Sequence, residues 1–278
     1  MIRLTVLCDN NTYIDRYFIG EPAFSCLIED GESVILFDTG YSDAALKNAL
    51  SMGIDLSSVT GIALSHGHND HTGGLRFFIP YLTHPLTLTA CPEVFRYRQD
   101  ARGMEIGSPI QPDAFPESFS VRLTEESVFL SEHTVFLGRI PRVCPFETDR
   151  SVGTAFPDGK AKADDLPDDT ALTILLPHGQ FIVTGCSHSG IVNICSRAGA
   201  LFPDKPICGI LGGFHLLKAS SESRETAETL SRITKGSVYP CHCTCFEVKA
   251  ELAAFLPVRE PGVSLRLTFD GDVIRSDP

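Results

Sequence analysis

The sequence predicts an α/β protein in which two β-sheets pack face to face and helices cover the outside. Three observations lead there. Alternating apolar runs near the start are joined by tight-turn residues, as hairpin strands are. Strands then alternate with helix-period segments in each half of the chain. Short loops rich in glycine and histidine follow several of those strands, where α/β scaffolds often carry their sites.

Residues 2–8 are the first expected strand, and 22–29 and 33–37 the next two, joined by the turn pair Asp30-Gly31. Helical periodicity runs from about 42 to 52, with Ala45, Leu46, Ala49 and Leu50 on one face. The short strand Gly61-Ile62-Ala63-Leu64 then enters the segment Ser65–Gly74, SHGHNDHTGG. Residues 92–170 carry eight of the 18 prolines and little periodicity, which predicts an insertion of short strands and loops within one domain spanning 1–278. Strands return near 171–176 and 180–184, and Gly185–Gly190 leads into a helix of about 190–200. A strand near 207–211 ends in Gly212-Gly213-Phe214-His215. A helix near 221–234, a strand 237–240, a helix near 246–255 and two short strands complete the order.

Composition narrows the function. A chain of 278 residues with 43% hydrophobic content can bury a large core. Its net charge of −12 repels a phosphate backbone, so no nucleic-acid partner is expected. No apolar stretch approaches the ~20 residues of a membrane span, and MIRLTVLCDN lacks the apolar core of an export signal; a cytoplasmic protein with no membrane partner is expected. The ten cysteines then read as free thiols, with Cys8, Cys26, Cys91, Cys195 and Cys208 as small hydrophobes in apolar runs.

The segment after residue 64 spends three of the nine histidines within six positions. His66 and His68 are two apart, so in extended backbone both imidazoles point to one side and can reach one ion. Asp70 and His71 follow at a turn and can reach a second. Gly67, Gly73 and Gly74 let the backbone fold tightly around both. Imidazole and carboxylate suit Zn²⁺, with Fe and Mn as alternatives. His188 and His242, each just past a strand, are further candidates.

With those residues in view, the chain resembles the metallo-β-lactamase superfamily. The matching pieces are Asp38 in FDTG, the SHGHNDHTGG segment, His188 in TGCSHSG and His242 in YPCHC. The resemblance implies a four-layer αββα sandwich with one or two divalent ions at one edge. It assigns His66, His68 and His188 to one ion and Asp70, His71 and His242 to the other, with Asp38 supporting them from behind. GRIPRVCPFET, LGGFHLL and CHCTC add a narrower likeness to the branch named for 7,8-dihydropterin-6-methyl-4-(ribofuranosyl)aminobenzene-5′-phosphate synthase. Two departures stand out. The strand before the last histidine ends in Gly-Gly-Phe-His where the superfamily places a bridging Asp, and Cys245 stands where the branch commonly has Gly.

Other residues are weighed on their own chemistry. His215, at a strand end beside two glycines, is expected to touch substrate or act as general acid, and Asp70 to share in catalysis. Arg142 suits bidentate binding of phosphate or carboxylate, and the branch likeness favours that role over a solvated one. Cys186, two residues before His188, could touch the site, with core packing the favoured reading; Asp168 and Asp169 could support the site from behind or only form a turn, with the turn favoured. If 241–245 is extended, Cys241, Cys243 and Cys245 face away from His242. The resulting expectation is a metal-dependent, hydrolase-like enzyme for a small phosphorylated or carboxylated metabolite. A dihydropterin-linked transferase is the alternative within enzymes, and a metal-dependent sensor with a decayed site the alternative outside them. A homodimer is compatible with the sequence.

Overall fold

Alternation with a period of two decides which side of each strand is buried, and here it buries both. In the strands Ile2–Cys8 (β1), Ser25–Asp30 (β2) and Ser33–Phe37 (β3), Ile2, Leu4, Val6, Cys26, Ile28 and Phe37 face a central core. Leu27 and Leu36 face the opposite way, into a second core under the helix Ala44–Ser51 (α1). A computed structural model describes residues 1–147, 151–271 and 273–277.

The chain continues through Gly61–Ala63 (β4), the single helical turns Asn69–Thr72 (α2) and Leu75–Phe78 (α3), and Leu86–Ala90 (β5). It then runs through Arg98–Gln99 (β6), Phe119–Leu123 (β7), Val128–Phe129 (β8), Thr134–Phe136 (β9), Thr154–Ala155 (β10) and Lys162–Ala163 (β11). The second half holds Ala171–Leu176 (β12), Gly179–Thr184 (β13), Ile191–Leu201 (α4), Ile207–Gly213 (β14) and Ser221–Ile233 (α5). Val238–Cys241 (β15), Phe246–Ala253 (α6), Arg266–Asp270 (β16) and Val273–Asp277 (β17) follow.

One sheet has eight strands in the order β17-β16-β1-β2-β3-β4-β5-β7, and the other six in the order β15-β14-β13-β12-β9-β8. Their facing sides share the central core, where Phe37, Phe136, Phe181 and Phe269 meet. Burying each such side chain is worth about 1.5–3 kcal/mol. The outer side of the second sheet packs Ile182 and Ile210 against Ile191 and Ile194 of α4, Leu230 of α5 and Leu252 of α6. Helix, sheet, sheet and helix form the four expected layers.

The segment 92–170 is only partly an insertion. β7 pairs in parallel with β5, and β9 pairs with β12, so both main sheets draw on it. The rest forms a small separate sheet, β11-β10-β6, beside the site. No helix among the described residues is long and apolar enough to cross a membrane.

Strands β3, β4 and β5 run parallel in the first sheet, and β13, β14 and β15 in the second. Parallel strands end together, which gathers their following loops into one crevice.

Candidate metal centre

Asp38 lies just beyond β3 with a positive φ of 54° and is fully buried. Its Oδ1 accepts the Ser65 backbone N–H at 2.7 Å, and its Oδ2 accepts the Ser65 hydroxyl at 2.7 Å and His71 Nδ1–H at 2.7 Å. A carboxylate only accepts, so these contacts fix the protons. The Ser65 hydroxyl, having donated to Asp38, accepts from His66 Nδ1 at 2.9 Å. His242 Nδ1 faces the Asn10 side-chain oxygen at 3.2 Å. In His66, His71 and His242 the second nitrogen, Nε2, is therefore left as the free lone pair for an ion.

Three groups of donors result among the described residues, the third being Cys186, His215 and Cys243. His66, His68 and His188 bring one nitrogen each within 4.8 Å of one another, with His66 Nε2 and His68 Nδ1 3.1 Å apart. Asp70, His71, His242 and Cys186 form the second group within the same limit. In that group Asp70 Oδ2 lies 3.3 Å from His242 Nε2 and 3.8 Å from His71 Nε2, and Cys186 Sγ lies 3.2 Å from His71 Nε2. The first two groups adjoin, with the His66 and His71 rings 4.2 Å apart.

Three nitrogens, and two nitrogens with an oxygen and a sulfur, are donor sets that divalent transition metals accept. The electrostatics of the first group agree. Burial drives the His68 pKa down to about 3, and burial plus the neighbouring imidazoles drives His66 well down, so both stay neutral as ligands must. His68 Nε2 is buried without a hydrogen-bond partner, a cost an ion would remove. Asp70 is half-buried; desolvation would raise its carboxyl, but His71 and His242 outweigh that and hold it well below the ordinary range.

The glycines of the segment serve close approach. A Cβ on Gly74 would lie 1.9 Å from the Thr39 carbonyl oxygen, and one on Gly67 1.9 Å from that of Val94. Gly67 is also gripped from the side. Its N–H donates to Asp168 Oδ2 at 2.8 Å, while Asp168 Oδ1 pairs with Arg98 on β6. Arg98 is fully buried, and its Nε donates to Asp164 Oδ2 at 2.6 Å. Asp169, also buried, accepts the Ser189 N–H at 2.8 Å beside His188. The turn expected at Asp168 and Asp169 is thus a support for both ligand loops.

Other expectations need correction. Arg142 is absent from the cavity lining; its guanidinium donates to the Asp165 carbonyl oxygen, which draws it toward a neighbouring loop. Cys186, expected in the core, faces the second donor group because Ser187, at φ 57°, turns the backbone after β13. The extended run assumed for 241–245 stops at Cys241, since His242 has φ 48°, so Cys243 lines the same cavity as His242. His215, at φ 48°, does reach the site, with its ring 4.2 Å from that of His188. A side chain at Gly213, at the end of β14, would force its neighbours to shift, because a Cβ there would meet Cys243 Sγ at 2.5 Å and the Gly185 carbonyl oxygen at 2.7 Å.

The donors open on a cavity of about 600 Å³. His68, Asp70, His188 and His242 form its floor, and Pro22, Tyr41, Ile106, Val152 and Leu217 its mainly apolar walls. No Lys or Arg among the described residues lines it.

The family model described as "Metallo-beta-lactamase superfamily" matches residues 19–202. An uncharacterised protein of Methanocaldococcus jannaschii is 29% identical over 252 residues, covering 90% of this chain and 93% of its own. The 7,8-dihydropterin-6-methyl-4-(β-D-ribofuranosyl)-aminobenzene-5′-phosphate synthase of the same organism is 27% identical and is covered to 89%, as is this chain. Among solved structures, Tm1679, described as a metal-dependent hydrolase of the β-lactamase superfamily, superposes with a TM-score of 0.83 at 26% identity, over 97% of this chain and 99% of its own.

Proposed function

Because the chain belongs to the metallo-β-lactamase superfamily, we propose that it is a metal-dependent, hydrolase-like enzyme acting on a small anionic metabolite. The observation that carries this is that members of the first two donor groups, His68 and His188 of one and Asp70 and His242 of the other, line one apolar-walled cavity. His66, His68 and His188 would hold one ion, and Asp70, His71 and His242 the other, with zinc the first choice and iron or manganese the alternatives. Bound divalent ions supply Lewis acidity and activate water at neutral pH.

The protein's own residues do the rest. Asp38 and Ser65 orient His66 and His71. Asp70, 3.3 Å from His242 Nε2 and 3.8 Å from His71 Nε2, can take part in proton movement. His215, with a buried Nδ1 that lacks a hydrogen-bond partner, is placed to donate to substrate. With no cationic side chain on the described walls, the ions must receive the anionic group. Tyr41, Ile106 and Leu217 suit a flat apolar remainder.

The test joins metal counting to binding. Protein purified without added metal should carry one or two ions per chain, and His66→Ala or His68→Ala should lose most of them with the fold retained. Calorimetry should then rank phosphoesters and pterins above neutral lactones. A preference for lactones would overturn the anion reading, and metal-free protein with no binding of any panel member would leave the sensor reading.

Transfer is the second reading, favoured by the 27% identity to the synthase across 89% of both chains. There the ions would hold a substrate phosphate. Consumption of a dihydropterin only when an aminobenzene ribofuranosyl phosphate is present supports transfer; consumption without it supports hydrolysis.

A further inference from the structure

We propose that the thiolate of Cys186 is the fourth ligand of the second ion, beside Asp70, His71 and His242, so that sulfur stands in for the strand-end carboxylate this chain lacks. This rests on the two-ion reading above. Cys186 Sγ is within 4.8 Å of a donor atom from each of those three residues, and 3.2 Å from His71 Nε2. Its direction is imposed by the turn that carries it. Ser187 lies in the left-handed region; its hydroxyl donates to the Gly213 carbonyl at 2.7 Å, and Gly213 N–H donates to the Gly185 carbonyl at 2.8 Å. The turn is thereby pinned to β14, with Cys186 facing the second group and His188 facing the first.

A bare packing role does not account for this placement. Cys186 lines the cavity together with Asp70, His188 and His242. Cys243 is the neighbouring sulfur, but its Sγ accepts the His215 N–H at 3.2 Å and it groups only with Cys186 and His215. Cys186 is therefore the sulfur for the second ion, and binding sends its thiol proton to solvent.

The consequence is an unequal pair. Three neutral imidazoles leave the first ion its full charge and an open position, as in catalytic zinc sites. A carboxylate, a thiolate and two imidazoles neutralise the second and fill four positions. Sulfur also favours zinc or iron over manganese at that site.

The experiment uses the full chain freed of metal and titrated with Co(II), whose bond to a thiolate gives a charge-transfer band in the near ultraviolet. The parent should bind two ions and develop the band. Cys186→Ser should lose the band, keep one ion per chain, and bind the second about tenfold or more weakly. Cys243→Ser should keep the band. A band unchanged in Cys186→Ser, or lost only in Cys243→Ser, overturns the assignment. Two ions without a band in the parent also overturn it while leaving the two-ion reading intact; a parent that binds no second ion ends both. Circular dichroism of each variant separates ligand loss from misfolding.

Discussion

From the first sheet the site receives one unbroken segment after a single strand, and four of its candidate ligands lie between His66 and His71. From the second sheet it receives one or two side chains after each of three strands: Cys186 and His188 past β13, His215 past β14 and His242 past β15. The supports differ as well. The first segment is braced by buried side chains, Asp38 beneath it and Asp168 with Arg98 beside it. The second-sheet turns bend through residues in left-handed backbone, namely Ser187, His215 and His242. Such a conformation costs a non-glycine residue about 1–2 kcal/mol. The first side thus relies chiefly on polar groups packed inside the fold, while the second adds left-handed turns to a buried brace, Asp169 on the Ser189 N–H.

If that contrast holds, the largest single effect should come from the bracing. Arg98→Met would leave Asp164 and Asp168 buried without their cation, and should cost about 3–5 kcal/mol in urea unfolding. A cost below about 1 kcal/mol would mean that the side contacts of the first segment are dispensable.

The two sides should also titrate with opposite signs in metal-free protein, by up to a few kcal/mol in total. His68, lowered to about 3 by burial, binds its proton in the unfolded chain first, so stability falls as pH drops from about 6.5 toward 3. His242 is raised to about 9: burial lowers it but is outweighed by Cys243, Asp70 and Asp9. Its contribution is complete below about 6.5 and is lost as pH rises through 9. Thermal melts across pH should show both limbs. His68→Gln should make the acid limb shallower, the rest being due to His66, and leave the alkaline limb; His242→Gln should flatten the alkaline limb and leave the acid one.

A smaller effect is expected from Gly67→Ala, whose Cβ would overlap the Val94 carbonyl oxygen and Arg98 Nη1. About 1–3 kcal/mol is expected, with weaker metal retention, because His66 and His68 flank the displaced backbone. The smallest, about 1 kcal/mol, concerns Glu147→Gln. That buried carboxylate accepts the N–H groups of Val192 and Asn193 at the start of α4. Metal content should not change, since α4 lies behind the second-sheet turns and carries none of the candidate ligands.

The same contrast explains what was legible in the sequence. β1, β3 and β12 fall where alternation placed them, because strong apolar periodicity leaves little choice of boundary. The histidine segment is legible because its donors are local. Arg98 is not, since its partners Asp164 and Asp168 lie 66 and 70 residues away and nothing nearby marks the pairing. Cys186 and Cys243 were misread for one reason: both directions depend on left-handed backbone at Ser187 and His242, residue types that give no such signal. β7 exposes most of its side chains, and β8 and β9 have two and three residues, too little for a pattern. Arg142 is suggested by guanidinium chemistry and by the branch likeness, neither of which fixes a direction, and a carbonyl of the adjacent loop accepts from it.

The small sheet is tied to the histidine segment through Arg98, whose partner Asp168 accepts the Gly67 N–H, and the loop after β6 is tied to it by the bond from Asn69 N–H to the Ile106 carbonyl at 2.9 Å. The side chains of Ile106 and Val152 meanwhile face the cavity. Heritable change therefore meets two regimes within a few residues. At Ile106 and Val152 a lineage can alter which molecules are admitted and leave the chemistry beneath untouched, because the tie at Ile106 runs through backbone that any residue supplies. At Arg98 it cannot, and diversification of substrate range should accumulate on the lining and stop at the anchor.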